Sequence, residues 1–285
     1  MLRVVVDGLN GVGGAPFAAL CARLGYVVHS VGTEPVEDFG GMKPDPTIVE
    51  SQVRCADLVR TLGADLGFIL DGDGDRLIVL DHEGLPVQSQ ELLAILLHFA
   101  PPELASRLSG PIFVTTTCGE MVRRVGELRG TPVTETGVGF KHVAPLLWAA
   151  TRSCGVGSVG DLGFRDLAAD RDPMAVAIVL AMVLGHTGAN LRALHRQLQA
   201  QLGLAHLHWD ERHFPASEKG DDLESCARLH ATAEGWLESV PELTVDGVRM
   251  RGPAGQWLMV RKSTTESGYR LYGEFHAGAG PVNSA

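Results

Sequence analysis

The stretch Leu66-Gly67-Phe68-Ile69-Leu70-Asp71-Gly72-Asp73-Gly74-Asp75-Arg76 decides how this chain is read. Its first five residues form a short apolar run of strand length, which predicts a buried β-strand. At the carboxyl end of that run come three carboxylates on alternate residues, spaced by glycines and followed by an arginine. Two unit negative charges ~4 Å apart repel by ~4 kcal/mol at an effective dielectric of ~20, so the triplet calls for a cation or a proton. Hard oxygen donors suit Mg²⁺, which keeps some waters and often contacts a phosphate. Asp71, Asp73 and Asp75 are therefore candidate metal ligands at the end of a strand, where open α/β sheets place their ligands. An EF-hand loop is excluded, because its glycine and terminal acidic places hold Arg76 and His82 here. The plain alternative is a solvated Asp/Gly turn. The apolar strand feeding the triplet and the arginine beside it weigh against that.

Upstream, Arg3–Val6 reads as a strand, followed by the glycine-rich loop 7–14, a helix near Pro16–Leu24 and a second strand at Tyr26–Ser30. This β-loop-α-β order is the crossover that parallel strands need. A dinucleotide fingerprint starting at Gly11 and Gly13 fails, because Pro16 takes the third glycine place. The glycines of that loop are read as backbone turns rather than ligand contacts. Thr47 and Glu50 have capping-box spacing, and Val49, Val53, Ala56, Val59 and Leu62 follow at helical spacing up to Gly63.

Downstream, Leu77–Leu80 predicts a strand, and Ser89 is placed as the cap of a helix through Phe99. Pro101-Pro102 and Ser109-Gly110-Pro111 mark a boundary. A second α/β unit follows, with strand Ile112–Thr115, helix Met121–Leu128 and strand Pro132–Glu135. Asp172-Pro173 starts a helix ending at Gly185, and Asn190 caps another towards Gly203. The tail alternates in short strands at Thr244–Met250, Trp257–Arg261 and Tyr269–Phe275. The predicted fold class is α/β: two α/β/α three-layer domains, 1–105 and 106–203, and a small α+β domain, 204–285.

The 285 residues carry a formal charge of −10 and no basic run, which argues against nucleic acid or an anionic membrane as the main partner. The five cysteines are scattered and lack a C-x-x-C pair, as buried thiols of a cytoplasmic protein would be. His206 and His208 alternate on a strand face near His213 without completing a zinc spacing, and are read as an exposed strand edge.

Taken together, these residues resemble the α-D-phosphohexomutase family of phosphoglucomutases and phosphomannomutases. Val4-Val5-Val6-Asp7-Gly8-Leu9-Asn10-Gly11-Val12-Gly13-Gly14 is similar to the start of that family's second domain, and the Asp triplet with Arg76 to its metal loop. Thr136-Gly137-Val138-Gly139-Phe140-Lys141 resembles the sugar-specificity loop of its third domain. Arg261-Lys262-Ser263-Thr264-Thr265-Glu266, followed by Tyr269-Arg270-Leu271-Tyr272, is similar to the phosphate loop of its fourth. The resemblance implies phosphoryl transfer between hexose hydroxyls by way of a phosphoserine. It implies Mg²⁺ on Asp71, Asp73 and Asp75, with Arg76 facing the same phosphate. Lys141 would be a proton donor or anion contact beside Gly139. Arg261, Ser263, Thr264 and Thr265 would grip the non-reacting phosphate of a hexose phosphate.

The chain departs from that pattern at the chemistry. The family's nucleophilic serine lies in a Thr-x-Ser-His loop of a preceding domain, and these residues contain no Ser-His dipeptide. The register set by Gly163-Phe164-Arg165 puts Gly157-Ser158-Val159 where the family carries Glu-Glu-Ser for sugar hydroxyls. Three readings follow. The first is a phosphohexomutase-family enzyme that is not self-sufficient and takes its serine from a separate domain. The second is a degenerate homologue binding a phosphosugar, a protein partner or itself. The third, ranked last for want of a general base, is a Mg²⁺-dependent phosphatase.

Overall fold

The computed structural model describes residues 1–168, 170–205, 207–215, 222–263 and 267–276, without the side chain of His208. The first unit comprises β1 (Arg3–Asp7), α1 (Gly14–Arg23), β2 (Val27–Val31), α2 (Val49–Leu62), β3 (Leu66–Leu70), β4 (Leu77–Leu80) and β5 (Pro86–Val87). Its sheet order is β2-β1-β3-β4-β5, with β1 parallel to β2 and β3 and the last two strands antiparallel. Alternation along β1 creates the layers. Val4 and Val6 face the core that holds Phe17 and Cys21 of α1, while Val5 faces Cys55, Ala56 and Val59 of α2.

The start of α2 differs from the capping box. The helix begins at Val49 with Ile48 at its N-cap and no side-chain cap. Thr47 instead donates its N–H and its hydroxyl to Asp45 Oδ1, at 2.9 and 2.7 Å, closing a local turn on the carboxylate. The buried face is also rotated from the expected one: Ser51, Cys55, Ala56 and Val59 point inward, and Val49 and Val53 are exposed.

The second unit adds α3 (Ser89–His98), α4 (Pro102–Arg107), β6 (Ile112–Thr115), α5 (Glu120–Arg129), β7 (Val133–Thr136), α6 (Phe140–Ala149), β8 (Cys154–Val156), β9 (Leu162–Phe164), α7 (Pro173–Thr187) and α8 (Leu191–Leu202). Its sheet runs β7-β6-β8-β9. One face is covered by α6 through Phe140, Val143 and Leu147, the other by α3, α5, α7 and α8. Here α3 departs from the expected boundary near residue 105, because its apolar run Leu92–Leu97 packs against α5, α7 and α8. Ser89 is not its cap either; its hydroxyl accepts the N–H of Gly160, 3.0 Å away. Asp172 caps α7 through Met174 N–H and Ala175 N–H, and the helix runs past Gly185 to Thr187 before Gly188 stops it at φ 65°. Among the described residues no single helix is long and apolar enough to cross a membrane.

The third unit holds β10 (Leu207–Phe214), α9 (Leu223–Ala233), β11 (Glu242–Leu243), β12 (Gly247–Arg251), β13 (Trp257–Lys262) and β14 (Tyr269–His276). Its antiparallel sheet runs β10-β14-β13-β12-β11. α9 covers one face through Ala227 and Ala231, and Trp209, Trp257, Met259 and Tyr272 line the other. That second face meets the second unit. Trp209 Nε1 donates to Thr117 O at 3.0 Å, and Arg249 Nη2 to Thr116 O at 2.9 Å. The two α/β/α layers and the α+β unit agree with the expected fold class.

Candidate functional site

The loop 71–76, read above as a metal loop, follows β3 and lies against the glycine-rich loop after β1. Val12 N–H donates to Gly72 O at 3.1 Å. A Cβ on Gly11 would stand 2.4 Å from Gly72 O, and one on Gly13 2.8 Å from Gly74 Cα. These glycines therefore let two backbones touch, a stricter requirement than turning the chain. Gly74 itself sits at φ 75°, where a side chain is strained.

Asp71 holds the loop's shape. It is 2% exposed. Its Oδ1 accepts the N–H groups of Asp75 and Arg76, each at 3.0 Å, and its Oδ2 accepts Arg76 Nε at 2.6 Å. Arg76 Nη1 also reaches Asp45 Oδ1 at 3.4 Å. Burial would raise the Asp45 carboxyl, but the hydrogen bonds from Thr47 and the charge of Arg76 hold it below its ordinary value. Asp75 is paired from across the unit boundary: Arg171 Nη2 stands 2.5 Å from its Oδ2, and Arg171 Nη1 is 3.2 Å from Asp161 Oδ1. Burial pushes the Asp75 carboxyl up to about 6 against the pull of Arg171, with the charges of Asp71 and Asp73 adding to the rise. Asp73 has no ion-pair partner among the described residues and is exposed.

The three loop carboxylates converge, with one oxygen of each within 4.8 Å of the others. Oxygens on an octahedral Mg²⁺ stand about 2.9 Å apart when adjacent and about 4.2 Å when opposite, so the three side chains would draw together around an ion. Five carboxylates (Asp45, Asp71, Asp73, Asp75 and Asp161) meet two guanidinium groups, Arg76 and Arg171, which leaves an excess of negative charge. Donor type, spacing and residual charge all fit a divalent cation.

Two cavities open beside this loop. The larger, about 580 Å³, is walled by Asp45, Thr47 and Arg76 on one side and by β10 residues with Arg270 on the other. The smaller, about 170 Å³, is lined by Gly139, Gly157, Asp161, Arg261 and Tyr272. Ser158, Val159, Glu211 and Arg270 border both, so the two form one cleft between all three units.

The expected residues distribute unevenly around it. Arg76, Gly139 and Arg261 line the cleft. Arg261 is 8% exposed, and its Nε and Nη2 lie 3.4 and 3.3 Å from the Tyr272 hydroxyl. Burial, then the charge of Glu211, pushes that hydroxyl up to about 12 despite Arg261. Lys141 stands exposed in the first turn of α6 and lines neither cavity. Ser263 follows β13, its N–H donating to Gly268 O at 3.0 Å. Thr264 and Thr265 lie outside the described residues, as do His206 and the side chain of His208; His213 borders the larger cavity.

Sequence reasoning missed Asp161, Arg171, Glu211 and Asp246. Glu211 meets Arg270 Nη1 at 2.8 Å in the cleft wall. Asp246, on the turn before β12, accepts Thr116 Oγ1 and Val138 N–H, each at 2.8 Å, and so ties the 137–139 loop to the third unit. Arg270 and Tyr272 carried the resemblance without being assigned a role. None of the four sits in a motif whose spacing announces chemistry, since each comes from a different element.

A carboxylate loop at a strand end and arginines of an antiparallel sheet border one charged cleft between three units. Models of phosphoglucomutase/phosphomannomutase α/β/α domains II and III match residues 1–84 and 88–202. The chain belongs to that family. A phosphoglucomutase/phosphomannomutase of Thermococcus kodakarensis is 27% identical over 271 residues, 95% of this chain and 56% of that protein. A phosphoglucosamine mutase of Methylobacterium sp. is 31% identical over 190 residues, 64% of this chain and 40% of that one. A phosphoglucomutase/phosphomannomutase family protein of Burkholderia thailandensis superposes with a TM-score of 0.76 at 24% identity, over 97% of this chain and 57% of the other. The chain thus spans little more than half the length of the curated relatives it matches.

Proposed function

We propose that this chain contributes the metal, sugar and phosphate loops of a phosphohexomutase, an isomerase that moves a phosphoryl group between hydroxyls of a hexose phosphate. The observation that carries the reading is the convergence of Asp71, Asp73 and Asp75 within 4.8 Å beside a cleft that also holds Arg76, Arg261 and Arg270. Asp71, Asp73 and Asp75 would hold Mg²⁺, which neutralises charge on a transferring phosphoryl group. Asp71 fixes the loop through two backbone N–H groups and orients Arg76 towards the cleft. Arg261 and Arg270 offer planar forks to the non-reacting phosphate, and Gly139 brings bare backbone to the sugar.

The phosphoserine that such a reaction needs would come from another segment or polypeptide. Glucose 1-phosphate, its 1,6-bisphosphate and Mg²⁺ are mixed with this chain, with and without a separate serine-loop domain. Glucose 6-phosphate forming only in the complete mixture supports the reading; no turnover in either argues against it. Gly157-Ser158-Val159 favours a second reading, a homologue that binds a phosphosugar without turning it over, since no carboxylate of this loop faces the sugar hydroxyls.

A further inference from the structure

We infer that Arg171 is a built-in competitor for the cation of the metal loop and sets how strongly this chain takes up a divalent metal. The inference rests on the reading that the loop holds a metal. Its basis is a contact that crosses the unit boundary: Arg171 Nη2 pairs with Asp75 Oδ2 at 2.5 Å, so a second of the three converging carboxylates, besides Asp71 with Arg76, already has a cation.

That cation is held in place. Asp161, 3% exposed, accepts Arg171 Nη1 at 3.2 Å, and the guanidinium carbon lies 5.9 Å from the centre of the Phe140 ring. The backbone that follows it is anchored twice. Asp172 N–H donates to Leu162 O at 3.1 Å, and the Asp172 carboxylate caps α7 through Met174 N–H at 2.8 Å and Ala175 N–H at 3.2 Å. The turn carrying Gly160 also docks on the metal loop, with Leu77 N–H donating to Gly160 O at 3.1 Å. Arg171 therefore stands directly before an anchored helix start.

A guanidinium stays charged at every working pH. A divalent ion that engages Asp75 must either displace Arg171 onto Asp161 alone or share Asp75 with a positive charge in contact. Both options weaken metal uptake compared with a loop whose Asp75 is unpaired. Arg76 pairs with Asp71 in the same way but belongs to the loop itself, whereas Arg171 is a charge brought to the loop by another unit.

Mn²⁺ binding, followed by the loss of the free-ion electron paramagnetic resonance signal, tests this on wild type, Arg171→Met, Arg171→Lys and Asp73→Asn. Removing one contacting unit charge should tighten Mn²⁺ binding by Arg171→Met about tenfold or more. Arg171→Lys keeps the charge and should bind like wild type. If Arg171→Met binds no tighter than wild type while Asp73→Asn loses the ion, the competitor role falls and the metal reading stands. If none of these proteins takes up Mn²⁺, the metal reading falls and the competitor role with it. Should the unpaired Asp161 unfold the single variant, Arg171→Met with Asp161→Asn removes both partners. That double variant must also bind more tightly than wild type for the inference to survive.

Discussion

Glu274, on the last strand of the C-terminal sheet, accepts the backbone N–H of Glu120 at the start of α5, at 2.8 Å, and Trp257 Nε1 at 2.7 Å. It is 5% exposed, and its Oε1 would lie 2.2 Å from a Cβ on Gly119. A carboxylate from one unit thus caps a helix of another, where the helix dipole favours negative charge. Together with Asp246 and Arg249 it holds the third unit against the second, and so sets the width of the cleft.

This contact should depend on pH. Burial pushes the Glu274 carboxyl up to about 7, although the N–H groups of Glu120 and Trp257 pull it down. A carboxyl raised on docking is stabilised in its protonated form, so its contribution is fully present below the ordinary value of about 4.5 and is lost as pH rises through about 7. The urea midpoint of the third unit should fall between pH 5 and pH 8 by the equivalent of about 1–3 kcal/mol. Glu274→Gln should flatten that dependence. A wild-type midpoint indifferent to pH over this window would contradict the assignment.

Asp246 makes a separate prediction. Its carboxylate bonds Thr116 and Val138 together, so Asp246→Ala should free the 137–139 loop at a cost of about 1–3 kcal/mol. Amide exchange at Val138 should quicken selectively, leaving amides of β6 protected. Unchanged exchange at Val138 would show that the loop is held by something else.

Gly11 approaches Gly72 too closely for any side chain, as the 2.4 Å from a Cβ to its carbonyl shows. Gly11→Ala should cost about 1–3 kcal/mol, in the range of overpacking, and push the metal loop away from the glycine-rich loop. Thermal melting would register the loss. A melting temperature equal to wild type would mean that the two loops have slack.

Much of the fold was legible because it depends on local patterns. The apolar run Leu66–Leu70 delivered the Asp triplet to a strand end as expected, and Asp172-Pro173 and Asn190 cap helices as their chemistry predicts. The failures share one cause, competition from partners outside the element being read. Asp45 takes the Thr47 hydroxyl from the helix, and Gly160 takes the Ser89 hydroxyl. The helix α3 looked like the end of the first unit, yet its apolar residues are completed by α5, α7 and α8. In the site, the Asp triplet could be read from spacing alone. Its counter-charge Arg171 could not, because nothing in Asp170-Arg171-Asp172 says that the side chain crosses to Asp75.

Calorimetric titration with glucose 1,6-bisphosphate, in Mg²⁺ and again in excess EDTA, tests most directly whether a cation on Asp71, Asp73 and Asp75 serves a phosphorylated ligand. The account predicts saturable binding at least tenfold tighter with Mg²⁺, and the loss of that difference in Asp73→Asn, as metal-bridged phosphate recognition requires. Binding of equal strength with and without the metal, or no binding in either condition, would contradict it.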